Sequence, residues 1–158
     1  MRILAFCLTI IKPLWAVIIV EAMPDKTWTC LAIAAFCAHD FIDGQIAAKT
    51  SKWRRYLDVV GDKFTILYTM FMFSFSYEFP LYLAGIIGGR ELIQWVVIIS
   101  VWRKTGKIMT NVFLRLGAIA IALTVIGWVL GLQIIVVTMV ICMVVFTTIG
   151  VKKYIKLT

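Results

Sequence analysis

Residues 132–150, with the sequence LQIIVVTMVICMVVFTTIG, decide the class of this protein because they contain no charged side chain. A helix of about 20 apolar residues is long enough to cross the hydrocarbon core of a bilayer. Working outward from this stretch, five further mainly apolar runs of similar length lie at 3–23, 28–48, 56–76, 81–102 and 111–129. We therefore predict an all-α integral membrane protein, a bundle of six transmembrane helices that forms one domain over residues 1–158.

The composition agrees with this class. Of the 158 residues, 63% are hydrophobic and 15% are charged, and the mean hydropathy is +1.00. A water-soluble globule is less apolar and more charged, and a disordered chain is more polar still. The four cysteines lie within apolar runs and form no C-x-x-C pair, which argues against a disulfide framework or a zinc cluster. We interpret the net charge of +8 through membrane topology and expect no nucleic-acid partner.

The basic residues indicate the orientation in the membrane. One side of the predicted bundle carries eleven of them, in the segments after the second and fourth spans and at both ends of the chain, whereas the other side carries only Lys26. Cytoplasmic segments are enriched in Lys and Arg. Both termini are therefore predicted to be cytoplasmic, in a membrane that is taken to be the bacterial inner membrane.

Four aspartates lie inside the predicted second and third spans. A charge near the middle of a membrane costs about 2.5 to 3.5 kcal/mol, so each needs a counter-ion, water or a function. Asp40 and Asp43 are three residues apart and Asp58 and Asp62 are four apart, which places each pair on one helix face. The short connection makes the two helices neighbours, and both pairs lie toward the cytoplasmic side. We expect the four carboxylates to converge.

Converging carboxylates repel one another unless a cation neutralises them. Oxygen ligands suit magnesium, manganese or calcium, and two such ions about 3.5 to 4 Å apart are a common arrangement for phosphoryl-type displacement. Lys12 interrupts the first span, and we interpret it as a residue whose ammonium extends to the membrane surface. The alternative is a cation that faces the substrate.

The segment Asp40-Phe-Ile-Asp43-Gly44-Gln-Ile-Ala47, followed by Asp58-Val-Val-Gly61-Asp62, resembles the signature of the CDP-alcohol phosphatidyltransferases, Asp-x-x-Asp-Gly-x-x-Ala-Arg and then Gly-x-x-x-Asp-x-x-x-Asp. Six of the eight signature residues are present. Ala48 replaces the arginine, Arg54 replaces the second glycine, and the connection is shortened to five residues. Weaker matches to the phosphatidylglycerophosphate synthase branch occur at Leu8-Thr9-Ile-Ile-Lys12, Arg90-Glu91 and Gly106-Lys107.

The resemblance implies a membrane enzyme that transfers a phosphatidyl group from CDP-diacylglycerol to an alcohol, and the branch matches favour glycerol 3-phosphate as that alcohol. Two Mg²⁺ or Mn²⁺ ions would be held by Asp40, Asp43, Asp58 and Asp62, and Asp62 would also be the catalytic base. The nucleotide would be bound around Gly44, Ala47, Lys49 and Gly61. The phosphate of the acceptor is assigned to Arg90 and Arg115, because a guanidinium presents a planar fork to phosphate oxygens. The family also implies a homodimer.

Several alternatives stay open at this stage. Arg90 can instead form an ion pair with Glu91 or an aspartate, and Arg115 can extend to the membrane surface. The acceptor can be inositol phosphate, inositol or serine. Ala48 and Arg54 leave open a catalytically weakened member of the family. Four acids in a membrane can also belong to a small transporter of divalent cations or protons, although the second and third spans become almost wholly apolar toward the external side.

Overall fold

The computed structural model describes residues 2–48, 52–105 and 112–155, and every regular element within these ranges is an α-helix. The described part contains six helices, which confirms the all-α prediction. They are α1 (Arg2–Ala22), α2 (Lys26–Ala48), α3 (Lys52–Ser76), α4 (Leu81–Thr105), α5 (Val112–Val129) and α6 (Gln133–Ile155).

Three of these helices, α4, α5 and α6, are long and apolar enough to cross a membrane. This indicates a membrane protein. That α1, α2 and α3 also cross, and that the termini are cytoplasmic, stay predictions. The helices extend further into charged sequence than predicted: α3 begins at Lys52, and α4 and α6 end at Thr105 and Ile155. Basic side chains in the last turn of a helix interact favourably with its exposed carbonyl groups, and α4 and α6 both carry two of them there.

The chain divides into two compact units, Met1–Gly88 and Gly89–Thr158. In the first unit, α1 packs against both α2 and α3. The turn into α2 is fixed by Asp25, whose Oδ1 accepts hydrogen bonds from the backbone N–H groups of Thr27 at 2.8 Å and Trp28 at 3.2 Å. This is an N-cap, which satisfies donors that the first helical turn leaves unpaired. Thr29 adds a bond from its hydroxyl to the carbonyl of Ala22 at 2.8 Å, which joins the two helix ends.

In the second unit, α5 and α6 form an antiparallel pair around a tight connection. Gly131 has a φ of +75°, a conformation that glycine adopts at little cost. The N–H of Leu132 donates to the carbonyl of Gly127 at 2.7 Å, and that of Gly131 donates to Trp128 at 3.0 Å. These two bonds form a Schellman motif, which ends α5 and turns the chain directly into α6.

Candidate metal centre

The ammonium of Lys12 lies at the point where α1, α2 and α3 meet, and its side chain is fully buried. Its Nζ atom donates hydrogen bonds to Oδ1 of Asp40 at 2.8 Å, to Oδ1 of Asp62 at 2.5 Å and to Oδ1 of Asp58. Oδ2 of Asp43 lies 3.6 Å from the same nitrogen. Two carboxylates from α2 and two from α3 therefore surround one atom of α1, so the predicted convergence of the two acidic helix faces is observed.

The backbone near Lys12 is tied to α3. The hydroxyl of Thr65 donates to the carbonyl of Lys12 and to the carbonyl of Gly61, each at 2.9 Å. Thr65 lies almost one helical turn after Asp62, and it is buried. This contact sets the position of α1 along α3 at the level of the carboxylates.

Three of the carboxylates lie close enough together to hold a metal ion. Asp40, Asp58 and Asp62 each offer an oxygen, and these oxygens lie within 4.8 Å of one another. Asp43 is fully buried beside them. Carboxylate oxygens are the donors that Mg²⁺, Mn²⁺ and Ca²⁺ prefer, and the point between them already holds a positive group. The residues present therefore fit a divalent cation.

The interpretation of Lys12 as a residue that extends to the membrane surface is wrong. A lysine extends outward when its ammonium can reach water, but here the side chain is fully buried among carboxylates. The attraction of several negative groups within hydrogen-bond distance outweighs the loss of hydration.

The residues assigned to the nucleotide lie close to the acids along the chain. Gly44 and Ala47 belong to the last turns of α2, and Gly61 precedes Asp62 in α3. Lys49 lies outside the described residues. Their role in nucleotide binding stays a prediction.

Arg90 belongs to the second unit, where its guanidinium is buried. Its Nη1 contacts Oε1 of Glu91, its Nε donates to Oγ1 of Thr147 at 3.2 Å, and its Nη2 donates to the carbonyl of Leu114 at 2.7 Å. The alternative interpretation of Arg90, an ion pair with Glu91, is therefore confirmed. Binding of the acceptor's phosphate by Arg90 stays a prediction.

The sequence does not predict which residues surround the guanidinium of Arg90. A Cβ atom at Gly117 would lie 2.6 Å from Nη2 of Arg90, so only glycine leaves space for the guanidinium in its present position. Neither Gly117 nor Thr147 belongs to a motif, and each meets Arg90 only through the packing of helices. Arg115, the second predicted phosphate ligand, is exposed on α5.

Comparison with known proteins agrees with the chemistry of the acidic cluster. A family model described as CDP-alcohol phosphatidyltransferase matches residues 2–150. The protein is therefore an enzyme of the class that transfers substituted phosphate groups. More narrowly, the chain belongs to the CDP-alcohol phosphatidyltransferase family. The family acts on CDP-alcohol substrates and an alcohol acceptor, transfers phospholipid headgroups and generally depends on divalent metals. Neither the curated proteins nor the solved structures give a significant match.

Proposed function

We propose that the protein transfers a phosphatidyl group from CDP-diacylglycerol to glycerol 3-phosphate, forming phosphatidylglycerophosphate and CMP in phospholipid biosynthesis. One observation carries this proposal: the four signature aspartates come within 3.6 Å of a single point between three helices. The family gives the class of reaction, and the weak branch matches in the sequence favour glycerol 3-phosphate as the acceptor.

In this proposal Asp40, Asp43, Asp58 and Asp62 hold two Mg²⁺ or Mn²⁺ ions. Such ions, when bound, stabilise the negative charge on the phosphoryl oxygens of the pyrophosphate. Burial of Asp43 and Asp58 between helices supports the assignment, because electrostatic stabilisation is stronger where water is excluded.

Asp62 is proposed to act as the base. Its carboxylate takes the proton of the acceptor's hydroxyl, and the acceptor oxygen forms a bond to the lipid-side phosphorus. The bond from that phosphorus to the oxygen of CMP breaks, and CMP leaves with the electron pair. The side chain of Asp62 keeps partial exposure, with a relative accessibility of 22%, whereas Asp43 has none; Asp40 is more exposed still at 42%, so the choice of Asp62 rests on the family resemblance. A base must reach the proton that it removes.

We assign the nucleotide to Gly44, Ala47, Lys49 and Gly61, which flank the acids in the sequence. The phosphate of the acceptor is assigned to Arg90 and Arg115. A guanidinium has five N–H donors, and the bonds of Arg90 to Glu91, Thr147 and Leu114 use three of them. The proposed phosphate contact would use the other two.

The proposal includes six transmembrane helices, cytoplasmic termini and an active site that faces the cytoplasm of a bacterium. The excess of basic residues on one side supports this orientation. A diacylglycerol tail would stay in the bilayer while the soluble acceptor enters from the basic side. A homodimer is proposed from the family resemblance.

An assay of CMP release tests the proposal. Purified protein in detergent is supplied with Mg²⁺, CDP-diacylglycerol and, in separate reactions, glycerol 3-phosphate, inositol phosphate, inositol or serine. We expect release with glycerol 3-phosphate and loss of release when EDTA removes the metal. If CMP is released only with a different alcohol, that alcohol is the acceptor. No release with any alcohol would favour the weakened family member that Ala48 and Arg54 suggest, and metal uptake by vesicles containing the protein would favour a transporter.

A further inference from the structure

The proposed function gives no role to Lys12, although its ammonium has the central position in the acidic cluster. The oxygens of Asp40, Asp58 and Asp62 that form the candidate metal group also accept hydrogen bonds from its Nζ atom. The chain thus places its own cation at the point where an external cation would bind.

An ammonium and a metal ion cannot both use this point. A lysine has three N–H donors, and these three carboxylates account for all of them. A divalent ion that shared the same oxygens would lie next to a positive charge at a distance of about 3 Å, where repulsion is strong in a water-poor site.

We propose that Lys12 is an internal counter-cation that occupies the metal-binding carboxylates until a divalent ion displaces its ammonium. This inference rests on the proposed function, because it takes the four aspartates as the metal ligands. In the metal-free protein Lys12 holds the carboxylates of α2 and α3 together. Metal binding then becomes a competition, which lowers the apparent affinity for the ion.

The structure shows which part of Lys12 is able to move. Its backbone carbonyl is held by the hydroxyl of Thr65 at 2.9 Å, so α1 stays in place. The side chain has four rotatable bonds and no covalent restraint. Displacement therefore needs a change of side-chain rotamer, while the three helices keep their packing.

Binding of Mn²⁺ alone tests the proposal without any turnover. Free Mn²⁺ is measured by electron paramagnetic resonance during titration of the full-length protein in detergent. Lys12→Met removes the charge and keeps much of the length of the side chain, and we expect it to bind Mn²⁺ at least about tenfold more tightly than the wild type, because the competing charge is gone. Lys12→Arg keeps the charge and should bind no more tightly than the wild type. The matched control is Lys26→Met at the exposed start of α2, which should leave the affinity unchanged.

Thermal unfolding supplies the second measurement. Without metal, Lys12→Met should unfold at a lower temperature than the wild type, because the carboxylates then repel one another. Saturating Mn²⁺ should raise its Tm by more than it raises that of the wild type. If Lys12→Met does not fold, the same titrations are made with Lys12→Gln.

An unchanged or weaker affinity for Mn²⁺ in Lys12→Met would overturn the inference, and so would a Tm that Mn²⁺ does not restore. Absence of Mn²⁺ binding in every variant would overturn it as well, even if CMP is released. Failure of the proposed function is seen separately, as a lack of CMP release from the wild type with every alcohol.

Discussion

The first unit surrounds one buried ammonium with four carboxylates, whereas the second unit buries one guanidinium against one carboxylate. In the second unit the charges of Arg90 and Glu91 balance, and a hydroxyl and a backbone carbonyl accept further bonds from the arginine. In the first unit four carboxylates surround the ammonium of Lys12, and they outnumber the cations even when the buried Lys63, which follows Asp62 in α3, is counted with it. In a balanced buried pair the two opposite charges cancel. An unbalanced cluster attracts additional positive charge, and this property supports the proposed metal site.

This difference between the two units predicts that a substitution in the acidic cluster of the first unit lowers the activity most. Asp62→Asn removes the proposed base and should lower the rate of CMP release by about 10² to 10⁴-fold, which is the usual contribution of a general base. The matched control is Glu21→Gln, an exposed carboxylate near the end of α1, which should keep the wild-type rate. Circular dichroism checks that both variants stay helical. Turnover retained by Asp62→Asn would remove this residue from the role of base.

The next effect concerns stability and should separate the two clusters. Glu91→Gln leaves the buried guanidinium of Arg90 without its counter-ion, and breaking a buried pair in this way costs about 3 to 5 kcal/mol. Asp43→Asn removes one carboxylate from a cluster that has too many. It should therefore leave the metal-free protein as stable as the wild type or more stable.

Denaturant unfolding of the metal-free protein in detergent compares these two variants directly. Equal losses of unfolding free energy in Glu91→Gln and Asp43→Asn would show that both carboxylates stabilise the fold. The first unit would then have no excess of carboxylates over its structural need.

A smaller loss of unfolding free energy is expected when a methyl group is added beside the guanidinium of Arg90. Gly117→Ala would place a methyl group 2.6 Å from Nη2 of Arg90, and the required shift should cost about 1 to 3 kcal/mol. Gly150→Ala would meet Cδ2 of Leu114 at 2.7 Å, which tests a similar overlap without a charge. Gly85→Ala meets nothing within 4 Å, and it should stabilise the helix by about 0.5 to 1 kcal/mol.

These three variants are compared by their unfolding free energies. A neutral result for Gly117→Ala together with a loss for Gly150→Ala would mean that the guanidinium is free to move away, and the pair with Glu91 would then not be fixed.

The smallest predicted effect is on substrate binding. Arg115 is exposed, so Arg115→Gln should change the unfolding free energy by no more than about 1 kcal/mol. If its guanidinium holds the phosphate of glycerol 3-phosphate, the KM for this acceptor should rise about tenfold with little change in kcat. The control is Arg103→Gln, another exposed arginine near a helix end. A KM that does not change in Arg115→Gln would leave Arg90 as the remaining arginine assigned to the phosphate.

Much of the helical framework could be predicted from the sequence, because apolar runs and charged breaks report directly on helices. The errors lie at the helix ends: hydropathy predicts Lys52 in a connecting segment, whereas α3 begins at this residue. Hydropathy finds the part of a helix that is apolar, whereas the helix itself continues as long as its backbone hydrogen bonds do.

The acidic half of the site could also be predicted, since helical periodicity places Asp40 with Asp43 and Asp58 with Asp62. The partner of these acids could not, because periodicity within one helix does not report which side chain of another helix is nearby. The depth of each residue along its helix could have indicated the partner. Lys12 lies ten residues, about 15 Å, from the start of α1, and Asp40 lies eight residues, about 12 Å, from the end of α2. Four acids within predicted spans needed a cation, and Lys12 was at a matching level.

The connection between α5 and α6 has a consequence for how the chain enters a bilayer. The three residues that join these helices, Leu130, Gly131 and Leu132, are all uncharged, and the Schellman motif satisfies backbone groups at the bend. Both helices are apolar enough to cross. During biosynthesis they can therefore insert together as one helical hairpin, because its tip brings no charge across the hydrocarbon, while Lys152 and Lys153 in the last turn of α6 stay at the other end of the hairpin.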